Sequence, residues 1–119
     1  MPVRSLSSPV LKWPGRAEVD AAARALAARL SATHPELARL GYFGSYARGD
    51  FGPGSDLDLV AIVERSARAF TDRPLDFDLR GLPVPAQLVV YTEDEWSAAR
   101  ERGGRFFDAL RSETVWLMP

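Results

Sequence analysis

The sequence predicts a fold of the α/β or α+β class, in which one β-sheet carries helices mainly on one face. Two segments support this prediction. Residues 16–33 place apolar side chains at helical spacing, and residues 57–63 form an apolar run rich in branched residues, as buried strands do. The predicted order of elements is helix, strand, strand, strand, helix, which is typical of a sheet with helices packed against it.

The length and composition fit one ordinary globular domain. The chain has 119 residues, which is enough to bury a core without disulfides or metals. We expect residues 1–15 to form an irregular arm and residues 16–119 to form a single domain. Fifteen basic and sixteen acidic residues give a net charge of -1, which argues against a strongly basic nucleic-acid interface. The absence of cysteine excludes thiolate metal sites and cysteine nucleophiles.

No membrane association is predicted. No segment approaches the roughly 18 consecutive apolar residues that a membrane span needs. Residues 1–12 lack the apolar central region of a secretory signal. We therefore expect a cytoplasmic protein.

The first predicted helix, residues 16–33, is amphipathic and ends at a proline. Residue His34 precedes Pro35, and a residue before proline avoids the helical conformation. His34 is therefore expected in a loop or cap. The apolar stripe of this helix consists of Val19, Ala23, Leu26 and Leu30.

The predicted strands follow. Residues 37–43 lead into a strand that Gly44 and Ser45 end, and residues 57–63 form the clearest strand. Residues 75–79 alternate apolar and acidic side chains, which predicts a short edge strand. Residues 86–91 form a further strand.

The last part of the chain predicts helix and then strand. Thr92 and Glu95 match a capping box at the start of a helix. Two glycines, Gly103 and Gly104, interrupt the helix. Beyond them the apolar helix face resumes, and residues 114–117 are expected to form a final strand. The residues of the resumed face are Phe106, Phe107 and Leu110.

The segment from residue 44 to residue 58 concentrates the residues that carry chemistry. It contains four glycines and one proline, so the chain turns tightly there. Gly44 and Ser45 directly follow a predicted strand, and such a turn offers backbone N–H groups and a hydroxyl to a phosphate. Arg48 lies one turn later and adds a charged donor for the same anion.

Two acidic residues at the end of this segment suit a cation. Asp56 and Asp58 are two positions apart at the start of a predicted strand, so their side chains project from the same face. Carboxylates so placed repel one another unless a cation lies between them. Mg²⁺ accepts one or two carboxylates together with substrate phosphates, and a pair of metal ions is the alternative arrangement.

These residues resemble a known signature. Gly44-Ser45-x-Ala-Arg-Gly followed by Ser55-Asp56-x-Asp58 closely resembles the motif of minimal nucleotidyltransferase domains of the DNA polymerase β-like superfamily. The similarity extends more weakly over most of the chain beyond residue 16. It implies a mixed sheet, nucleotide binding by the turn and by Ser55, Mg²⁺ binding by the two aspartates, and nucleotidyl transfer from a nucleoside triphosphate, with ATP as the expected donor.

One position departs from the family pattern. Active members carry a third carboxylate just before a short apolar run on a later strand, and the matching residue here is Gln87. An amide cannot act as a base and is a weaker metal ligand than a carboxylate. Three interpretations remain open: a nearby acid such as Asp78 fills the role, the enzyme is slow, or the domain binds without catalysing.

Two functions are therefore weighed, and a third is disfavoured. The first is a Mg²⁺-dependent nucleotidyltransferase in which Asp56 and Asp58 hold the metal. The second is a nucleotide-binding or partner-binding module of the antitoxin type, because short family members are often paired with a small helical HEPN-type protein. Direct nucleic-acid binding through the arginines near the last helix is disfavoured by the near-zero net charge. These arginines are Arg100, Arg102, Arg105 and Arg111.

Overall fold

A mixed β-sheet forms the centre of the structure, a computed structural model that describes residues 13–118. Its four described strands lie in the order β3-β2-β1-β4. Strand β1 is antiparallel to β2 and β4, and β2 is parallel to β3. The predicted fold class is confirmed. The elements are α1 (Arg16–Thr33), β1 (Leu37–Phe43), α2 (Ser45–Arg48), β2 (Leu57–Val63), a 3-10 helix (Phe70–Asp76), β3 (Ala86–Thr92), α3 (Glu93–Arg102), α4 (Arg105–Glu113) and β4 (Val115–Trp116).

Helices cover both faces of the sheet, whereas the sequence led us to expect them mainly on one. Leu57 and Leu59 of β2 pack in the same cluster as α1. Val60 and Ile62, from the same strand, pack with Trp96 of α3 and with α4 on the opposite face. The reason lies in β2 itself, because a strand with a nearly continuous apolar run is buried on both sides.

Helix α1 forms as predicted. Its buried residues include the whole predicted apolar stripe, and His34 is its C-cap residue. The helix is tied to the sheet near its start, where the Tyr42 hydroxyl donates to Asp20 Oδ1 at 2.7 Å. Most of the predicted N-terminal arm, residues 1–12, lies outside the described residues.

The predicted edge strand at residues 75–79 is wrong. The chain forms a 3-10 helix over Phe70–Asp76 instead, with Pro74 inside it. Proline fixes a φ angle that suits a helical turn and lacks the N–H that a strand would donate. The alternating pattern reflects only local burial, since Phe77 is buried while Leu75 is 76% exposed.

The C-terminal elements match the prediction with one exception. The Thr92 capping box is present, and α3 ends at Gly103, whose φ is +69°. Phe107 and Leu110 of α4 are buried, but Phe106 is 68% exposed, so it does not belong to the inward face. Successive helical residues are rotated by about 100°, and only one of two adjacent phenylalanines can point at the sheet. No helix among residues 13–118 is long and apolar enough to cross a membrane.

A buried arginine joins the 3-10 helix to α3. Arg73 is 7% exposed, and its guanidinium donates to the two carboxylate oxygens of Glu95 at 2.6 and 3.1 Å. It also donates to the carbonyl oxygen of Val90 at 3.1 Å. Hydrogen bonds from Arg73 are the main cause of the lowered pKa of Glu95. The ion pair between Arg73 and Glu95 therefore stabilises the folded protein fully at neutral pH. This stabilisation is lost as the pH falls below a glutamate's ordinary pKa toward the lowered pKa of Glu95.

Replacing Glu95 with alanine is expected to lower the free energy of unfolding by about 3 kcal/mol, because the buried guanidinium loses its partner and α3 loses its capping box. The expected loss lies at the lower end of the range for a broken buried ion pair because the Glu95 side chain is 42% exposed. Urea unfolding at pH 7 measures the change. Glu93→Ala, an exposed change in the same helical turn, is the control and should cost less than about 1 kcal/mol. Equal losses of unfolding free energy in the two variants would show that the ion pair between Glu95 and Arg73 does not stabilise the fold.

Candidate active site

The pairing of β1 with β2 places the turn at Gly44 and Ser45, here called the Gly44 turn, beside Asp58. Phe43 is the register partner of Asp58, and Gly44 follows Phe43 directly. The Asp58 carboxylate lies against Gly44 so closely that a Cβ atom on Gly44 would overlap Oδ2. Gly44 also has a φ of +77°, which side chains other than glycine rarely allow. Both observations require glycine at this position.

The chain after Gly44 is held firmly by one buried tyrosine. Tyr46 of α2 is fully buried, its hydroxyl donates to the Pro14 carbonyl at 3.0 Å, and its ring stacks on Phe51 with centroids 4.3 Å apart. Ser45 and Arg48 flank Tyr46 on this short helix and retain access to solvent. The burial of Tyr46 therefore fixes the position of the backbone that carries the polar groups of Ser45 and Arg48.

The second aspartate and the glutamine lie on the same face as Asp58. Strands β2 and β3 pair Asp58 with Gln87, and side chains of paired residues project from the same side of a sheet. The Gln87 amide, Nε2, donates to Asp56 Oδ2 at 3.4 Å. The three predicted residues therefore form one group, as the i, i+2 spacing of the aspartates required.

A third acidic residue, Glu113, lies at the candidate site and was not predicted from the sequence. Tyr42 pairs with Val115 in the antiparallel β1–β4 ladder, and two further steps in this register set Glu113 opposite Gly44. The Gly44 N–H donates to Glu113 Oε2 at 2.8 Å, and Arg48 Nη1 donates to the same oxygen at 3.3 Å. A carboxylate thus already occupies the donors that the sequence assigns to a phosphate, and a phosphate that binds them must displace it.

The Gly44 turn, Asp58 and Glu113 open into a cleft of about 370 Å³, whereas Asp56 and Gln87 lie beside Asp58 and are not among the residues that line it. Its polar wall comes from the turn, Arg48, Asp58 and Glu113, and its apolar wall comes mainly from α4. The residues that line it are Phe43, Gly44, Ser45, Arg48, Asp58, Phe106, Ala109, Leu110 and Glu113.

Comparison with known proteins identifies the family. A family model described as a nucleotidyltransferase domain matches residues 23–108. The chain belongs to this nucleotidyltransferase family. A crystal structure of a "putative nucleotidyltransferase" from Sulfolobus solfataricus matches with a TM-score of 0.60 and 20% sequence identity, over 85% of this chain and 80% of that chain. At this identity the match shows the shared fold. No curated protein matches the sequence.

The electrostatics of the candidate site suit a divalent cation. Partial burial raises the pKa of Asp58, and the negative charges of Asp56 and Glu113 raise it further, while Arg48 opposes them. A cation between the aspartates would relieve this repulsion. Among residues 13–118, no three His, Cys, Asp or Glu side chains gather into a metal-binding group. Two carboxylates still fit Mg²⁺, which completes its shell with substrate phosphates and water.

Two other residues singled out in the sequence lie apart from the cleft. Ser55 Oγ accepts a hydrogen bond from the Gly52 N–H at 2.9 Å and so closes the turn before Asp56. Asp78 pairs with Arg80 and Arg29, and hydrogen bonds from Arg80 lower its pKa to about 2. Arg29 follows Asp20, the residue of α1 that binds Tyr42 near the end of β1, by nine residues, which is about 13 Å along the helix axis. Asp78 is therefore not brought to the aspartate pair.

Proposed function

We propose that this nucleotidyltransferase domain moves a nucleotidyl group, AMP from ATP, to a protein or other acceptor in a Mg²⁺-dependent reaction. The contact between Gly44 and the Asp58 carboxylate supports this most directly. It joins a phosphate-binding turn to a metal-binding aspartate within one cleft, and nucleotidyl transfer needs both at the same nucleotide. The family membership supports the same reaction class.

In this proposal the turn binds the outer phosphates of the triphosphate. The Gly44 N–H and the Arg48 guanidinium exchange the Glu113 carboxylate for phosphate oxygens, and the Ser45 hydroxyl adds a further donor. Ser55 contributes to nucleotide binding by holding the turn that leads to Asp56. Because Tyr46 anchors this segment, the donors are in place before the nucleotide arrives.

The two aspartates supply the negative charge that binds the metal. Asp56 and Asp58 hold Mg²⁺, and the Gln87 amide orients Asp56. Bound Mg²⁺ supplies electrostatic stabilisation of the charge that develops on the phosphoryl oxygens. In the overall reaction an acceptor oxygen bonds to the α-phosphorus, its proton passes to solvent, and the bond from the α-phosphorus to the bridging oxygen breaks to release pyrophosphate.

Transfer of label from α-³²P-ATP, together with release of pyrophosphate, tests the proposed reaction. The assay contains Mg²⁺ and candidate acceptors, including the protein itself, and parallel reactions with EDTA serve as the control. We expect both products to form with Mg²⁺ and neither with EDTA. Absence of both products with every acceptor would contradict the catalytic proposal.

The glutamine at the third-acid position provides a further prediction. Gln87→Asp is expected to raise turnover at least tenfold, because a positioned carboxylate that takes a proton contributes roughly 10²- to 10⁴-fold to a rate. The affinity for Mg²⁺-ATP should change little. Gln87→Asn shortens the side chain equally without adding charge and should give no gain. Equal turnover in Gln87→Asp and Gln87→Asn would show that residue 87 is not the third-acid position.

The neutral amide of Gln87 also favours a second candidate function. A domain that keeps Asp56, Asp58 and the turn but lacks the third carboxylate can bind a nucleotide or a partner without efficient catalysis. In this alternative the protein is an antitoxin-like module that binds a small helical protein of the HEPN type. Recovery of such a protein in a pull-down, together with an absence of pyrophosphate release, would favour this alternative over the enzyme.

A further inference from the structure

Phe106 is an exposed aromatic side chain that the core does not explain. It is 68% exposed, whereas Phe107 beside it is 7% exposed and packs against the sheet in the cluster that contains Trp96. Removing a phenylalanine side chain from water is favourable, so this residue gains free energy when something covers it. Its position in the wall of the cleft, together with Asp58, makes a bound ligand the natural cover.

The two walls of the cleft differ in chemistry. The turn, Asp58 and Glu113 supply donors and carboxylates, and Phe106 and Ala109, which lie earlier in α4 than Glu113, supply apolar surface. A nucleoside triphosphate is divided in the same way, since it has an anionic tail and a flat aromatic base. The cleft volume of about 370 Å³ lies within the range of small-molecule sites.

We propose that Phe106 holds the base of the nucleoside triphosphate by stacking. This inference rests on the proposed function, because binding of the phosphates at the Gly44 turn is what places the nucleotide in the cleft. Every base has a π-face, so stacking on one phenylalanine adds affinity for all four nucleotides. Phe106 is thus a binding residue for the nucleoside part and makes no contribution to phosphate binding.

Two ligands separate these contributions. Mg²⁺-tripolyphosphate carries only the tail, and Mg²⁺-ATP carries the tail and the base. We expect Phe106→Ala to weaken ATP binding about tenfold, equivalent to about 1.4 kcal/mol, and to leave tripolyphosphate binding unchanged. Phe106→Tyr retains the ring and should bind ATP as the parent does. Leu75→Ala removes another exposed apolar side chain, outside the cleft, and should change neither affinity.

The outcomes distinguish this inference from the proposed function. If the parent binds both ligands and Phe106→Ala leaves ATP binding unchanged or weakens both ligands equally, the stacking role is wrong and the phosphate site stands. If ATP affinity is unchanged and Phe106→Ala instead loses a protein partner, Phe106 belongs to a protein interface and the stacking role is likewise wrong. If the parent binds neither ligand, the proposed function itself fails, and the stacking role fails with it.

Discussion

Asp58→Asn is expected to lower nucleotidyl transfer about a thousandfold, which corresponds to about 4 kcal/mol of lost transition-state stabilisation. Asparagine has the same shape but lacks the charge that holds Mg²⁺. Burial and the neighbouring charges raise the pKa of Asp58, so the ionised form is disfavoured in the folded protein. The neutral variant should therefore unfold at the same or a slightly higher temperature. Pyrophosphate release at one fixed concentration of Mg²⁺-ATP and thermal unfolding are the two measurements.

The control for this variant is an acid at the opposite end of the same strand, away from the cleft. Glu64 follows the last residue of β2 and is exposed, and Glu64→Gln removes one negative charge without touching the site. Its activity should match that of the parent. Activity of Asp58→Asn within tenfold of the parent would show that this carboxylate does not hold the metal.

Gly44→Ala is expected to lower activity at least a hundredfold, because a displacement of about 1 Å in a reacting group can cost that much. The new Cβ atom would overlap Asp58 Oδ2, so the carboxylate must move. The φ of +77° at Gly44 adds backbone strain of about 2 kcal/mol. Activity and urea unfolding should therefore both be affected.

Gly54 provides a matched control in the same loop. Its φ is +90°, and a Cβ atom there meets nothing within 4 Å. Gly54→Ala should therefore share the backbone strain and the loss of stability, but it should retain most of the activity. Equal losses of activity in the two variants would mean that strain in the loop, and not the position of Asp58, explains the effect at Gly44.

The residues close together in sequence could be predicted as a group. Gly44 and Asp58 lie at the two ends of one loop between neighbouring strands, so strand pairing alone returns them to the same place. The apolar run of β2 also identified the central strand. The same run indicates burial on both faces, since no polar alternation interrupts it after Asp58, whereas the order of elements alone predicts helices mainly on one face.

Residues distant in sequence could not be placed in this way. Glu113 reaches Gly44 only because β4 pairs with β1, and a single glutamate at the end of a helix carries no signal of that pairing. Phe106 and Phe107 are both apolar, and only the packing of α4 on the sheet decides which of them is buried. At residues 75–79 the alternating pattern was real, but Pro74 favoured a helical turn.

The most direct test of the central claim is the dependence of nucleotide binding on the metal. Isothermal titration of ATP into the protein, with Mg²⁺ and then with EDTA, measures it. If Asp56, Asp58 and the Gly44 turn form one metal–triphosphate site, ATP binds with Mg²⁺, binding is lost with EDTA, and Asp58→Asn shows no binding in either condition. Equal affinity with and without Mg²⁺, or unchanged Mg²⁺-dependent binding in Asp58→Asn, would contradict the claim.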